Sequence, residues 1–383
     1  MAKAPQLDTR LIHEGTPEPR PGGAVTMPIF QSATFEYGGQ GSYDELRYVR
    51  LNNTPNHGVL HAKLRSLEGG EAAVVTSSGM AAITTTLLAL LSPGEHVVAQ
   101  RCVYGGTHDF MTETLARFGI EVSFVDADEP GGWARARRDT TRVLYAETMT
   151  NPLIEVADLP AAARFAKDHG LVSVIDNTFA TPVLFRPLDH GFDVVVHSAT
   201  KYLNGHSDIA AGAVVGRREP VDRIRHLLNH LGGTLDPHAC FLLDRGLKTL
   251  AVRVRQQCRS AQTVAEFLQG HDAVTRVAYP GLAEHRGHAR AQELFAGFGG
   301  MLSFELQGGA EAAKRVAATT KLFVNAPSLG GPESLITMPA CTSHVGMDPD
   351  ARRSLGITDG LVRLSIGLED PADLVADLVA ALS

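Results

Sequence analysis

The sequence predicts an α/β protein: a large domain on a mostly parallel sheet, followed by a smaller C-terminal α/β domain. Three observations predict it. From Glu71 onward, short apolar runs alternate with helix-period stretches, the pattern of strands covered on both faces by crossover helices. After about residue 235 the texture changes to one long helical pattern and then shorter mixed elements. The chain has 383 residues, 44% of them hydrophobic, which is more apolar material than one simple core uses. The expected boundaries are an extended N-terminal arm over 1–47, a large domain over 48–235, and a linking helix with a small domain over 236–383.

Residues 1 to about 45 are rich in Gly, Pro and polar side chains. They read as an ordered arm laid over another surface or a partner chain, anchored by Met27-Pro28-Ile29-Phe30 and Phe35. Strands are expected at Ala72–Val75, His96–Gln100, Glu121–Val125, Arg142–Ala146, Val172–Ile175, Val194–Val196 and Ala211–Val215. Between them lie helical patterns at Gly79–Leu91, closed by Ser92-Pro93-Gly94, at Thr107–Phe118, ended by Gly119, and at Leu159–His169, ended by Gly170. The long helical pattern covers about His238 to Leu268 with a break near Gly246. Strands near Met301–Leu306, Leu335–Met338 and Leu361–Ile366, and helices near Ala310–Ala318 and Leu374–Leu382, complete the small domain.

Composition narrows the function. Lys plus Arg is 35 against 42 Asp plus Glu, a net charge of -7 with no basic cluster, which argues against nucleic acid as a partner. Cys102, Cys240, Cys258 and Cys341 form no CxxC pair, so neither a metal site nor a disulfide framework is expected. No apolar stretch is long enough for a membrane span, and Met1 to Pro5 lack a signal peptide's apolar run, so the expected location is the cytoplasm.

Ligands collect at the carboxyl ends of strands in open parallel sheets. Three strand ends carry chemistry. Thr76-Ser77-Ser78-Gly79-Met80 opens a helix, offering free N–H groups, hydroxyls and a helix dipole to a phosphate. Asp176 follows a buried run and suits a protonated ring nitrogen. Lys201, in "HSATKYLNGHSD", ends a strand among hydroxyls, where apolar walls and nearby cations lower an amine's pKa. Of the other six lysines, Lys63, Lys167 and Lys314 belong on solvated faces and Lys248 is at best half-buried. Each feature alone has a plainer reading: an N-cap at Ser78, a cap at Asp176, a salt bridge from Lys201 to Asp208 or Asp176. Together they are the three handles of pyridoxal 5′-phosphate: phosphate, pyridine nitrogen and aldehyde. Tyr104, in "RCVYGGTHD", is placed to lie flat on the ring, with Gly105 and Gly106 allowing close approach.

These residues lie in "SSGMAAI", "VYGGTH", "VIDNTFATP" and "SATKYLNGHSD", and the chain also carries "VTMPIFQSATF", "ETMTNP", "RGLKTL", "SLGG" and "RLSIGLED". In these motifs, spread over nearly the whole chain, the sequence resembles the Cys/Met-metabolism (transsulfuration) family of pyridoxal-phosphate enzymes. The resemblance implies the aspartate-aminotransferase-like fold, PLP fold type I, with a seven-stranded sheet in the large domain. It implies that Lys201 condenses with the cofactor aldehyde and Asp176 faces the ring nitrogen. Ser78, Gly79, Met80, Ser198 and Thr200 would hold the phosphate, and Tyr104 would stack. Tyr48 and Arg50, in "RYVRLNN", would reach the phosphate of a neighbouring subunit, hence a homo-oligomer: a dimer with shared sites, or a tetramer. Arg363 would clamp the substrate α-carboxylate with Asn151 and Ser328. Lys201, Tyr104 and Tyr48 would move protons.

Three departures bear on substrate. Asn53-Thr54-Pro55-Asn56 replaces the family's Asn-Pro-Thr after the Tyr-x-Arg pair. Pro327 stands where γ-lyases and γ-synthases often carry Glu, which counts against cystathionine as the preferred substrate. Gly106 stands where methionine γ-lyases carry cysteine, which counts against a dedicated methionine enzyme. The expected activity is of the cystathionine γ-lyase or γ-synthase type, acting at the γ-carbon of sulfur amino acids or homoserine derivatives. Methionine γ-lyase, cystathionine β-lyase and O-acylhomoserine sulfhydrylase are the alternatives, and a non-catalytic binding protein of the same fold is the alternative from another class. A nicotinamide oxidoreductase fits poorly, because Gly297-Phe298-Gly299-Gly300 lies late in the chain, away from a strand-to-helix turn.

Overall fold

The computed structural model describes residues 5–39, 41, 43, 46–129 and 131–383. Residues 1–4 and four positions of the expected arm (40, 42, 44 and 45) lie outside that set. Seven strands form the large sheet: β1 Ala72–Thr76, β2 His96–Gln100, β3 Glu121–Val125, β4 Thr141–Glu147, β5 Val172–Asp176, β6 Val194–His197 and β7 Gly212–Gly216. Their order is β1-β7-β6-β5-β4-β2-β3. All neighbours are parallel except β7, which runs antiparallel to both β1 and β6.

Strand alternation gives the sheet two cores. Ala73, Val75, Val98, Leu144, Ile175 and Val195 join one apolar cluster. Their neighbours Val74, Val97, Val143, Val174 and Val194 join the other, on the opposite face. That is why these strands read as continuous apolar runs rather than as half-polar ones.

The long helical pattern is two helices, Pro237–Leu247 and Leu250–Gln269. The second spans both domains: Leu250 and Val254 pack in the large core, while Ala261, Val264 and Leu268 pack in a third cluster. That cluster lies under a five-stranded sheet of β8 Val274–Ala278, β9 Met301–Leu306, β10 Val324–Asn325, β11 Leu335–Thr337 and β12 Leu361–Ser365. Its order is β10-β11-β12-β9-β8, antiparallel except for the short β10–β11 pair.

The arm differs in part from expectation. Leu7–His13 is helical rather than extended, seated by the buried Leu11. Of the expected anchors Met27 is buried, whereas Ile29 is 40% exposed. The arm is held instead by the Asn56 side chain, which accepts from the Phe30 N–H (2.8 Å) and donates to the Pro28 carbonyl (2.8 Å). Helix Pro55–Glu68 has no counterpart among the expected elements. It overturns the solvated reading of Lys63, which is 1% exposed with its ammonium 2.5 Å from Asp244. Two helices packed together enclose that lysine, and its charge persists there only because a carboxylate meets it. The four cysteines are free. Among the described residues no helix is long and apolar enough to cross a membrane, and no cluster of His, Cys, Asp or Glu could hold a metal ion.

Candidate active site

A cavity of about 650 Å³ opens where the carboxyl ends of β1, β4, β5 and β6 face the small domain. Eleven of the residues singled out from the sequence line it: Ser78, Gly79, Met80, Tyr104, Asn151, Asp176, Ser198, Thr200, Lys201, Ser328 and Arg363. Tyr48 and Arg50 do not. Arg50 instead donates to the Asn229 carbonyl (2.7 Å) and the Tyr43 hydroxyl (2.6 Å), with its guanidinium 5.5 Å from the Tyr48 ring centroid.

Strand β6 ends at His197, and the tight turn after it swings Lys201 back over the cavity. The Lys201 Nζ donates to the Ser328 Oγ at 2.8 Å; neither Asp176 nor Asp208 pairs with it, and Asp208 accepts from Asn204 instead. Burial, with the Arg363 cation second, lowers the Lys201 amine from 10.5 to about 8. Arg363, on β12, is 6% exposed. It donates to the Asn151 Oδ1 and to the Ser328 carbonyl, both at 3.0 Å, while its Nε has no partner. Burial lowers its pKa to about 10. A buried guanidinium that pairs with no carboxylate among the described residues is suited to an anionic ligand. Ser328 holds both cations at once from a backbone with φ 135°, a conformation few non-glycine residues adopt.

On the opposite wall, helix Gly79–Leu90 begins at Ser78, whose Oγ accepts from the Ala81 N–H at 3.0 Å. The first-turn N–H groups of Gly79 and Met80 have no intrahelical acceptor. A Cβ on Gly79 would sit 2.6 Å from the Ser198 Cβ, so only glycine lets the Ser198 hydroxyl close on that helix start. The Ser198 N–H donates to the Thr178 Oγ1 at 2.8 Å. The Thr200 hydroxyl donates to the Ala211 carbonyl (3.1 Å) and accepts from its N–H (2.9 Å). A dianionic phosphate fits this cradle of N–H groups and hydroxyls.

Asp176 is 9% exposed and accepts from the Thr178 N–H at 2.9 Å. Burial raises its pKa, against which the Thr178 hydrogen bonds and the His197 imidazole act. Tyr104 is 42% exposed at the lip, where a Cβ on Gly106 would meet its ring at 2.8 Å. Lysine, carboxylate, cradle and exposed aromatic ring therefore fit pyridoxal phosphate.

Sequence reasoning passed over several lining residues: Glu147, Met149, Thr178, Phe179, Leu329, Thr342 and Ser343. Glu147 was visible as the first residue of "ETMTNP", the carboxylate ending β4 as Asp176 ends β5. Thr342 and Ser343 carried no local signal, because they arrive from the far domain.

Residues 8–383 match the family model described as Cys/Met metabolism PLP-dependent enzyme. The chain is 44% identical to the L-methionine gamma-lyase of Pseudomonas putida, over 99% of this chain and 98% of that protein. It is 43% identical to the cystathionine gamma-lyase of Bacillus subtilis (strain 168), over 98% of each. The crystal structure of cystathionine gamma synthase from Xanthomonas oryzae pv. oryzae, in complex with aminoacrylate and cysteine, superposes with a TM-score of 0.95 at 41% identity, covering 99% of this chain and 98% of that one. With a lysine, a carboxylate and a helix-start cradle gathered in one cavity and this likeness along its length, the chain belongs to the Cys/Met metabolism family of pyridoxal-phosphate-dependent enzymes.

Proposed function

We propose that the protein acts at the γ-carbon of a sulfur amino acid or homoserine ester, by elimination or by replacement with a thiol. The observation that carries this reading is the apolar part of the cavity wall that Arg363 shares. Met149, Phe179, Pro327 and Leu329 line it, a surface suited to an aliphatic thioether or ester chain. The three relatives carry three different activities at nearly equal identity, so overall likeness does not choose among γ-lyase, γ-synthase and methionine γ-lyase.

When bound, pyridoxal phosphate supplies the electron sink that acidifies the substrate's α and β positions. The chain's own residues do the rest. Arg363, oriented by Asn151 and Ser328, takes the α-carboxylate. The Lys201 amine takes the α-proton, as a base whose pKa burial lowers to about 8. Ser328 holds that amine on the reacting side. Tyr104, at the lip, is placed to pass a proton to the leaving sulfur or oxygen. Tyr48 and Arg50 serve a neighbouring subunit's phosphate, which makes the working form a dimer or a tetramer.

The test offers cystathionine, methionine, cysteine and an O-acylhomoserine with a thiol to the purified protein and identifies the products. The expected result is 2-oxobutanoate or a new thioether. Pyruvate as the sole product from every substrate would refute γ-chemistry.

A further inference from the structure

Two buried carboxyls share the floor of the cavity. Glu147 and Asp176 end neighbouring parallel strands and stand opposite each other in register. Strands lie about 4.8 Å apart, and paired residues point to the same face, so the two acids are near neighbours. Both line the cavity, Glu147 5% and Asp176 9% exposed. Among the described residues neither has an ion-pair partner, and Lys201 and Arg363 bond to Ser328 and Asn151 instead. Two carboxylates this close in a low dielectric do not both ionise.

The surroundings decide which one keeps the charge. Asp176 accepts from the Thr178 N–H, and His197, at the end of the adjacent β6, favours its anion. Among the described residues, the Glu147 carboxyl accepts from the Tyr104 N–H alone, at 2.7 Å. It faces Asp176 on β5 and the buried Tyr145 two residues earlier on its own strand, and no described cation is paired with it. Burial and the Asp176 charge push Glu147 well above the ordinary carboxylate range.

We propose that Glu147 is a positioning residue held as a neutral carboxylic acid, so that Asp176 alone carries the negative charge of the pair. Its carbonyl oxygen fixes the Tyr104 backbone at the cavity lip, and its O–H is free to donate inward. One full charge then opposes the ring nitrogen, and no second anion competes for the cofactor's proton or repels its phosphate. This rests on the reading of Asp176 as the ring-nitrogen partner.

The test uses the holoenzyme. The borohydride-sensitive visible band is checked first; its absence would mean that the cofactor reading has failed, independently of the state of Glu147. An infrared difference spectrum of wild type minus E147Q at neutral pH is expected to show the C=O stretch of an un-ionised carboxylic acid. Loss of a carboxylate band instead would overturn the proposal. Pyridoxal phosphate affinity of E147Q is expected within about threefold of wild type, since an amide replaces a neutral acid; a loss of more than about tenfold would equally overturn it. Should E147Q fold poorly, carboxyl-13C glutamate labelling of the wild type is expected to shift the acid band. A band that moves only with labelled aspartate would assign the proton to Asp176 and rule out a neutral Glu147.

Discussion

Lys63 and Lys201 are both largely enclosed lysines, and their charged neighbours are opposite in sign. Lys63 sits between helices Pro55–Glu68 and Pro237–Leu247, 2.5 Å from Asp244, which also takes Lys248 at 3.1 Å. Among the described residues Lys201 has no carboxylate partner; its near neighbours are a serine hydroxyl and the Arg363 cation. Burial lowers both pKa values, but at Lys63 the Asp244 charge opposes the shift, whereas at Lys201 the arginine adds to it. Burial alone therefore does not make a lysine reactive. The sign of its nearest charge does: a carboxylate turns the amine into a strut, and a second cation frees its lone pair.

Lys201→Ala puts the greatest strain on this contrast. It should abolish the borohydride-sensitive band and lower turnover by at least about a thousandfold, while the fold, followed by circular dichroism, persists. Lys63→Ala should do the reverse. It leaves Asp244 with Lys248 alone in a buried interface and should destabilise the protein by about 1–3 kcal/mol in denaturant titration. The visible band should survive below the transition. Loss of the band in the folded Lys63 variant would break the distinction.

Arg363→Met should act on both substrate and lysine. Loss of a charge-assisted clamp should reduce kcat/KM by about 30-fold or more, chiefly through KM. Removing the neighbouring cation should also raise the Lys201 pKa. The mildest effect is the pH dependence of cofactor capture by the apoprotein. Only the neutral amine attacks an aldehyde, so the capture rate should rise with pH and level off above about 8, rather than climb towards the ordinary lysine value of 10.5. In the Arg363 variant the midpoint should move upward. A midpoint that stays put would show that burial alone sets the Lys201 pKa.

The large sheet was legible because its strands are short apolar runs, each ending in Gly or a polar turn. The cradle, Asp176 and Lys201 were legible because each stands at such an end. Helix Pro55–Glu68 was not, since Asn56, His57, Lys63 and Glu68 are polar residues buried by tertiary contacts, which blur the apolar face that a helix normally shows. Ile29 and Met27 look equivalent along the chain; only the surface that each meets separates them.

The linear chain determined the alternation that builds a parallel sheet, and with it the strand ends that bring Ser78, Asp176 and Lys201 to one cavity. Those are local consequences of side-chain period and backbone N–H supply. The tertiary structure alone decided that the Ser328 hydroxyl takes the Lys201 amine, that Glu147 stands beside Asp176, and that Lys63 meets Asp244. Such pairings depend on burial and on distances between residues remote in sequence, and the pKa values that make the site reactive exist only once those distances are set.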